Sequence, residues 1–107
     1  MEAAQAIVDA ETAEFMRWLG ARTVVPTLNE LRRHAEQIRR DETAKALKRM
    51  GPLSERDQQI IEALSQGIVN KLLHQPTVRL KAQAADGTAL PYASALQELF
   101  GLEAPHA

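Results

Sequence analysis

Three histidines, His34, His74 and His106, are the only imidazoles in this 107-residue chain, so a search for chemistry starts with them. None has a second histidine or a carboxylate at a spacing that tetrahedral zinc ligation uses. His34 lies among charged residues and His106 lies in the C-terminal tail. There is no cysteine, which excludes a disulfide framework, a thiolate metal site and a cysteine nucleophile within these residues. Glu11 and Glu42 interrupt otherwise apolar helical stripes. Paired carboxylates can do acid–base work, but nothing in the sequence brings these two together and no nucleophile accompanies them. The alternative is that each meets an Arg or Lys from another helix or another chain; a charge inside a seam selects register more than it stabilises. The stretch IVNKLLHQPT (68–77), with Gly67 just before it, adds a third cluster: Gly67, Asn70, Lys71 and His74 lie close together on a helix. They could form a small polar pocket, or Asn70 and His74 could satisfy backbone groups at a helix end before Pro76.

Charge separates two regions. Formal net charge is −1, which gives no global electrostatic case for nucleic acid. Residues 30–49 are locally basic, with Arg32, Arg33, Arg39, Arg40, Lys45, Lys48 and Arg49 against Glu30, Glu36, Asp41 and Glu42. Arg32, Arg33, Arg39 and Arg40 are candidates for contact with RNA phosphates, although no aromatics are interleaved for base stacking. The structural alternative is a solvated face laced with i,i+4 pairs such as Glu36–Arg40 and Asp41–Lys45.

The elements that would carry these residues are helical. Aromatics are 4% of the chain, and its common residues favour helix over sheet. A first helix is expected over 2–19, with Ala4, Ile7, Val8, Phe15, Trp18 and Leu19 on one stripe and Gly20 as its stop. The stretch 21–27 should be extended, because Pro26 disfavours helix at Val25. Thr27 and Glu30 form a capping box for a second helix, about 28–50, ended by Gly51-Pro52. Ser54 and Asp57 open a third, about 55–73. Its Ile60, Ile61, Leu64, Ile68, Val69, Leu72 and Leu73 cover more than half the circumference, which predicts a central helix with at least two neighbours. Pro76 should break the chain and Thr77 cap a short fourth helix, about 77–84. A turn at 85–88 then leads to a fifth helix, about 91–100, with Gly101 as its stop. No stretch alternates as a strand would, and no apolar run approaches the ~18 residues of a membrane span. The acidic start, MEAAQAIVDAE, is neither a signal nor a transit peptide. Met1 directly precedes a helical pattern already in progress, as at a fragment boundary.

The order of these signals resembles a known family. FMRWL (15–19), VVPTLNELRRHAEQIRRDETAKAL (24–47), LSERDQQIIEALSQGIVNKLLHQPTVRLK (53–81) and YASALQELFGL (92–102) together resemble the C-terminal dimerization domain of glutamyl-tRNA reductase. The resemblance covers nearly the whole chain. It implies a cytoplasmic oxidoreductase of tetrapyrrole (porphyrin and heme) biosynthesis, which reduces glutamate on its tRNA to glutamate-1-semialdehyde. The parent enzyme uses a cysteine nucleophile and NADPH held in a separate domain. This chain has neither a cysteine nor a GxGxxG, so no catalytic, cofactor or metal residue carries over to it. The role that carries over is pairing of two subunits.

The resulting expectation is an all-α, single-domain bundle of about five helices over residues 1–107, paired across a two-fold axis. Residues 2–20 would be the distal end of the long spinal helix, 21–103 the dimerization core and 104–107 a frayed tail. Ile7, Phe15, Leu31, Ile38, Ile61, Leu64, Ile68 and Leu72 are the expected core and interface. The partner is a second copy, with tRNA(Glu) and regulatory or downstream proteins possible for the full-length enzyme. Two other readings stand beside it: a tRNA- or regulator-binding helical module, and a monomeric bundle whose wide apolar face is covered from within.

Overall fold

The computed structural model describes the backbone of residues 2–102 and the side chains of residues 11–102. It contains three α-helices and no strand among the described residues: α1 (Glu2–Met50), α2 (Glu55–Asp86) and α3 (Leu90–Phe100). The all-α class is as expected, but the five expected helices are three. The expected frayed tail, His106 and the side chain of Ile7 lie outside the described residues.

Both corrections occur at prolines. Pro26 lies inside α1 and Pro76 inside α2. A proline within a helix removes one hydrogen bond and costs about 3 kcal/mol. Near Pro26, Val24, Thr27 and Leu28 are buried and pack beneath α3, while Val25 faces solvent. Burying one large aliphatic side chain returns about 1.5–3 kcal/mol, so a few such residues outweigh the proline. Thr27 is therefore not an N-cap. Its Oγ1 donates to the Thr23 carbonyl at 2.7 Å, Thr23 Oγ1 donates to the Leu19 carbonyl at 2.8 Å, and Gln97 Nε2 donates to Thr27 Oγ1 at 3.0 Å. Around Pro76 the buried Leu73 and Leu80 hold α2 on α1 in the same way, so Thr77 opens no new helix.

Gly20 is not a stop either. It is buried within α1 where the α2–α3 turn packs, and a Cβ there would meet the Ala89 Cβ at 3.5 Å, an ordinary packing distance. α1 runs on to Met50, and α2 stops at Gly87, whose φ of 76° costs glycine nothing. Its N–H reaches the Ala84 carbonyl at 3.2 Å, and the Thr88 N–H reaches that of Gln83 at 2.9 Å, closing α2 in the paired-bond manner of a left-handed cap. The start of α2 is as expected: the Asp57 N–H donates to Ser54 Oγ at 3.1 Å. α1 ends before Gly51, and α3 ends at Gly101.

The central helix is α1, not the helix expected. α1 packs on both α2 and α3, whereas α2 and α3 barely meet. The core is a narrow seam of Val24, Leu28, Leu31, Leu73, Leu80, Ala89 and Ala93, with Ala84 and Leu96 at its edge. The molecule is a rod of 75 × 21 × 17 Å with a radius of gyration of 19.7 Å; a compact domain of this length would have about 13 Å. Its surface is 8167 Å², against about 5,900 Å² for a compact monomer of its mass.

Candidate interface

The rod leaves large apolar side chains in water. On α2, Ile60, Leu64, Ile68 and Leu72 are exposed, Leu64 at 63% and Leu72 at 69%. Spacings of four put Leu64, Ile68 and Leu72 on one stripe. Ile38 of α1 and Phe100 of α3 are exposed beside it. Between them is a cavity of about 410 Å³, almost wholly apolar, whose lining includes Ile38, Val69, Leu72, Leu96 and Phe100. The expected interface residues thus separate. Ile38, Leu64, Ile68 and Leu72 share one exposed region. Ile61 is partly buried, and Leu31, at 2% exposure, belongs to the internal core.

Phe15 lies elsewhere, on the N-terminal part of α1. Its ring stacks on Trp18 with centroids 5.9 Å apart, and the Arg22 guanidinium covers the Trp18 ring at 4.9 Å. Both rings remain more than half exposed, and the cation–π contact shields part of the indole.

The polar candidates resolve differently. Arg39 turns inward and is only 8% exposed. It bonds Glu36 at 3.1 Å, Glu62 at 2.7 Å and Ser65 at 3.2 Å, tying α1 to α2. This commitment within the chain takes it out of the set available to phosphate. Hydrogen bonding to Arg39 is the main cause that holds the Glu36 carboxyl below the usual carboxylate range, and the Glu36 and Glu62 carboxylates hold the Arg39 guanidinium above its own. Arg33 pairs with Glu30 at 3.0 Å and Lys45 with Glu42 at 3.3 Å. The helix pairs seen are thus i,i+3, in place of the expected Glu36–Arg40 and Asp41–Lys45. Arg32 Nη1 donates to Asn70 Oδ1 at 3.1 Å, so Asn70 braces the hairpin and serves no helix end. Arg32, Arg33 and Arg40 are exposed on α1.

Gly67 meets nothing within 4 Å that a Cβ would touch, and His74 is exposed on a helix that continues past it. His34 sits edge-on to Phe100, with centroids 6.4 Å apart. Among the described residues no three His, Asp or Glu side chains gather as a metal site would require, and no helix is long and apolar enough to cross a membrane. What the geometry of the described residues offers is apolar surface.

Comparison with known proteins bears on that surface. Residues 3–102 match the family described as glutamyl-tRNAGlu reductase, dimerisation domain. The chain belongs to this family. It is 47% identical over 103 residues to a glutamyl-tRNA reductase of Chloroflexus aurantiacus, covering 96% of this chain and 24% of that protein. It is 49% identical over 102 residues to glutamyl-tRNA reductase 2 of Anaeromyxobacter dehalogenans, covering 94% and 22%. A glutamyl-tRNA reductase of Synechococcus sp. (strain WH7803) is 41% identical over 102 residues, covering 94% and 23%. No solved structure matches the chain. The dimerisation domain thus spans about a quarter of the curated relatives it matches. The residue that sequence reasoning missed here is Arg39 as an internal tie; the signal was present in its spacing from Glu36, but charge alone does not say which way a side chain turns.

Proposed function

We propose that this dimerisation domain pairs two copies of its polypeptide by burying the exposed stripe of α2, Leu64, Ile68 and Leu72, together with Ile38 of α1. The observation that carries the reading is that stripe, with the apolar cavity beside it; a contiguous apolar patch of this kind on a soluble protein is often functional. A two-fold axis lets one such patch cover another like it. The parent protein is then a cytoplasmic glutamyl-tRNA reductase that reduces tRNA-bound glutamate with NADPH for tetrapyrrole synthesis, its chemistry carried by domains other than this one. The exposed Arg32, Arg33 and Arg40 are candidates for contact with the tRNA backbone in that enzyme.

Sedimentation velocity of this chain across a concentration series tests the pairing. The expected result is a concentration-dependent shift between one-copy and two-copy species. A single one-copy species at every concentration up to the millimolar range would reject it.

A further inference from the structure

Arg33, Arg39 and Lys45 each pair with a carboxylate. Two other cations meet in a cavity that no carboxylate lines. The cavity, about 220 Å³, lies between α1 and α2, and Asn29, Arg32, Thr77 and Lys81 line it over a floor that includes the buried Leu31 and Leu73. Spacings of three and four residues bring these polar side chains to one face of each helix. No residue of α3 and none of the exposed α2 stripe lines it.

Each polar lining group keeps hydrogen-bonding capacity. Arg32 Nη1 donates to Asn70 Oδ1 at 3.1 Å, which orients the guanidinium and leaves its Nε and Nη2 unengaged among the described residues. Glu36 feels the Arg32 charge but is bonded to Arg39. Lys81 has no ion pair and Asn29 no side-chain hydrogen bond among the described residues. Thr77 is the odd threonine. Thr23, Thr27 and Thr43 each turn Oγ1 back to the carbonyl four residues earlier, whereas Thr77 makes no such bond.

Two positive charges in one cavity repel each other, and an anion between them reverses the sign of that interaction. The number of donors selects the anion. A carboxylate offers two oxygens, whereas a phosphate group offers enough to engage guanidinium, ammonium, amide and hydroxyl donors together. Size selects against a large ligand, since drug-sized molecules occupy pockets of about 300 Å³ and above.

We infer that this cavity is a binding site for one phosphate group, carried by a small phosphorylated molecule or by a polynucleotide backbone. Arg32 supplies a planar fork and Lys81 a point charge, with Asn29 and Thr77 as neutral donors. The site is separate from the pairing surface, and it does not require the tRNA contact proposed for Arg32.

Inorganic phosphate is the probe, titrated into the isotope-labelled 107-residue chain at constant ionic strength, with chloride as the balancing ion and amide NMR as the readout. Shifts that saturate in the millimolar range at Asn29, Arg32, Thr77 and Lys81 are the expected result. Lys81→Gln removes an exposed charge with no ion-pair partner to lose, so the circular dichroism should be unchanged while the dissociation constant rises about tenfold. Lys71→Gln makes the same charge change on α2, about 15 Å along the helix, and should raise it by less than about twofold. Shifts that do not saturate, equal effects of the two variants, or tighter binding of acetate than of phosphate would overturn the site. A short RNA then assigns the source. For backbone phosphate, Lys81→Gln weakens RNA binding together with phosphate binding; for a small phosphorylated ligand it weakens phosphate binding alone. Either result supports the phosphate site.

Discussion

The α1–α2 hairpin has two halves, and one is built inside out relative to the other. Beneath α3 the contact is apolar: Val24, Leu28 and Leu31 face Leu73 and Leu80, and the polar Arg32–Asn70 bond lies at the surface. Beyond α3 the contact is polar: Arg39 joins Glu36, Glu62 and Ser65, and buried Thr43 bonds back to the Arg39 carbonyl at 2.8 Å. There the large apolar side chains, Ile38, Leu64 and Ile68, point outward. Apolar burial is the main driving force of folding, so the polar half draws less of its stability from contacts within the chain. The first half joins its helices through apolar side chains, and the second joins them through polar ones.

The largest expected effect breaks that comparison directly. Leu31→Ala should cost about 2–5 kcal/mol of unfolding free energy, because Leu31 is sealed within one chain. Leu64→Ala deletes the same atoms from an exposed site. It should change the stability of a dilute, dissociated chain by less than about 0.5 kcal/mol and should appear only as weaker pairing at high concentration. Urea unfolding at two protein concentrations separates the two. Equal losses for both variants in the dilute sample would show that the halves are not built differently.

An intermediate effect sharpens the polar half. Arg39→Ala leaves the Glu36 and Glu62 carboxylates without their shared cation, and the expected result is a lower melting temperature at pH 7. The pH dependence identifies the cause. Glu36 is held below its ordinary value near 4.5, chiefly by its hydrogen bonds to Arg39. A depressed folded-state pKa contributes stability that is present above the unfolded value and lost as pH falls through the folded one. Wild-type stability should therefore decline on acidification below about pH 4.5, and Arg39→Ala should flatten that decline. Melting curves from pH 7 to pH 3 measure it; identical slopes in the two proteins would rule out Arg39 as the source.

How much of this was readable from sequence follows from the range of each interaction. The all-α class, the Ser54 cap and the ends near Gly51 and Gly101 are local, set by propensity and by groups within four residues. The joins at Pro26 and Pro76 were not readable. A proline rule describes the isolated helix, whereas Val24 and Leu28 are buried by residues of the α2–α3 turn and α3 some 65 positions later. Gly20 misled for the same reason: a glycine that stops a helix and one buried in the middle of a helix are identical in sequence. The wide apolar face of α2 was legible, but its occupant was not. One side of that helix is filled by α1 and the other faces water, and periodicity records only that both are apolar.

The smallest effect tests whether the open half is also the more loosely held at its tip. Ser54 caps α2 at the far end of that half, where its Oγ accepts the Asp57 N–H and its carbonyl accepts the Gln58 N–H at 3.0 Å. Ser54→Ala removes the first bond, which costs about 1 kcal/mol in typical helices. The Ser54 bond ties α2 only to itself, and its nearest neighbours, Glu55, Arg56 and Asp57, are exposed. The loss should therefore fray the first turn without moving the rest: faster amide exchange near Asp57 and Gln58, and unchanged exchange at Leu73 and Leu80. Faster exchange at those buried leucines as well would mean that the two halves unfold as one unit, and that covering the open half stabilises the closed one.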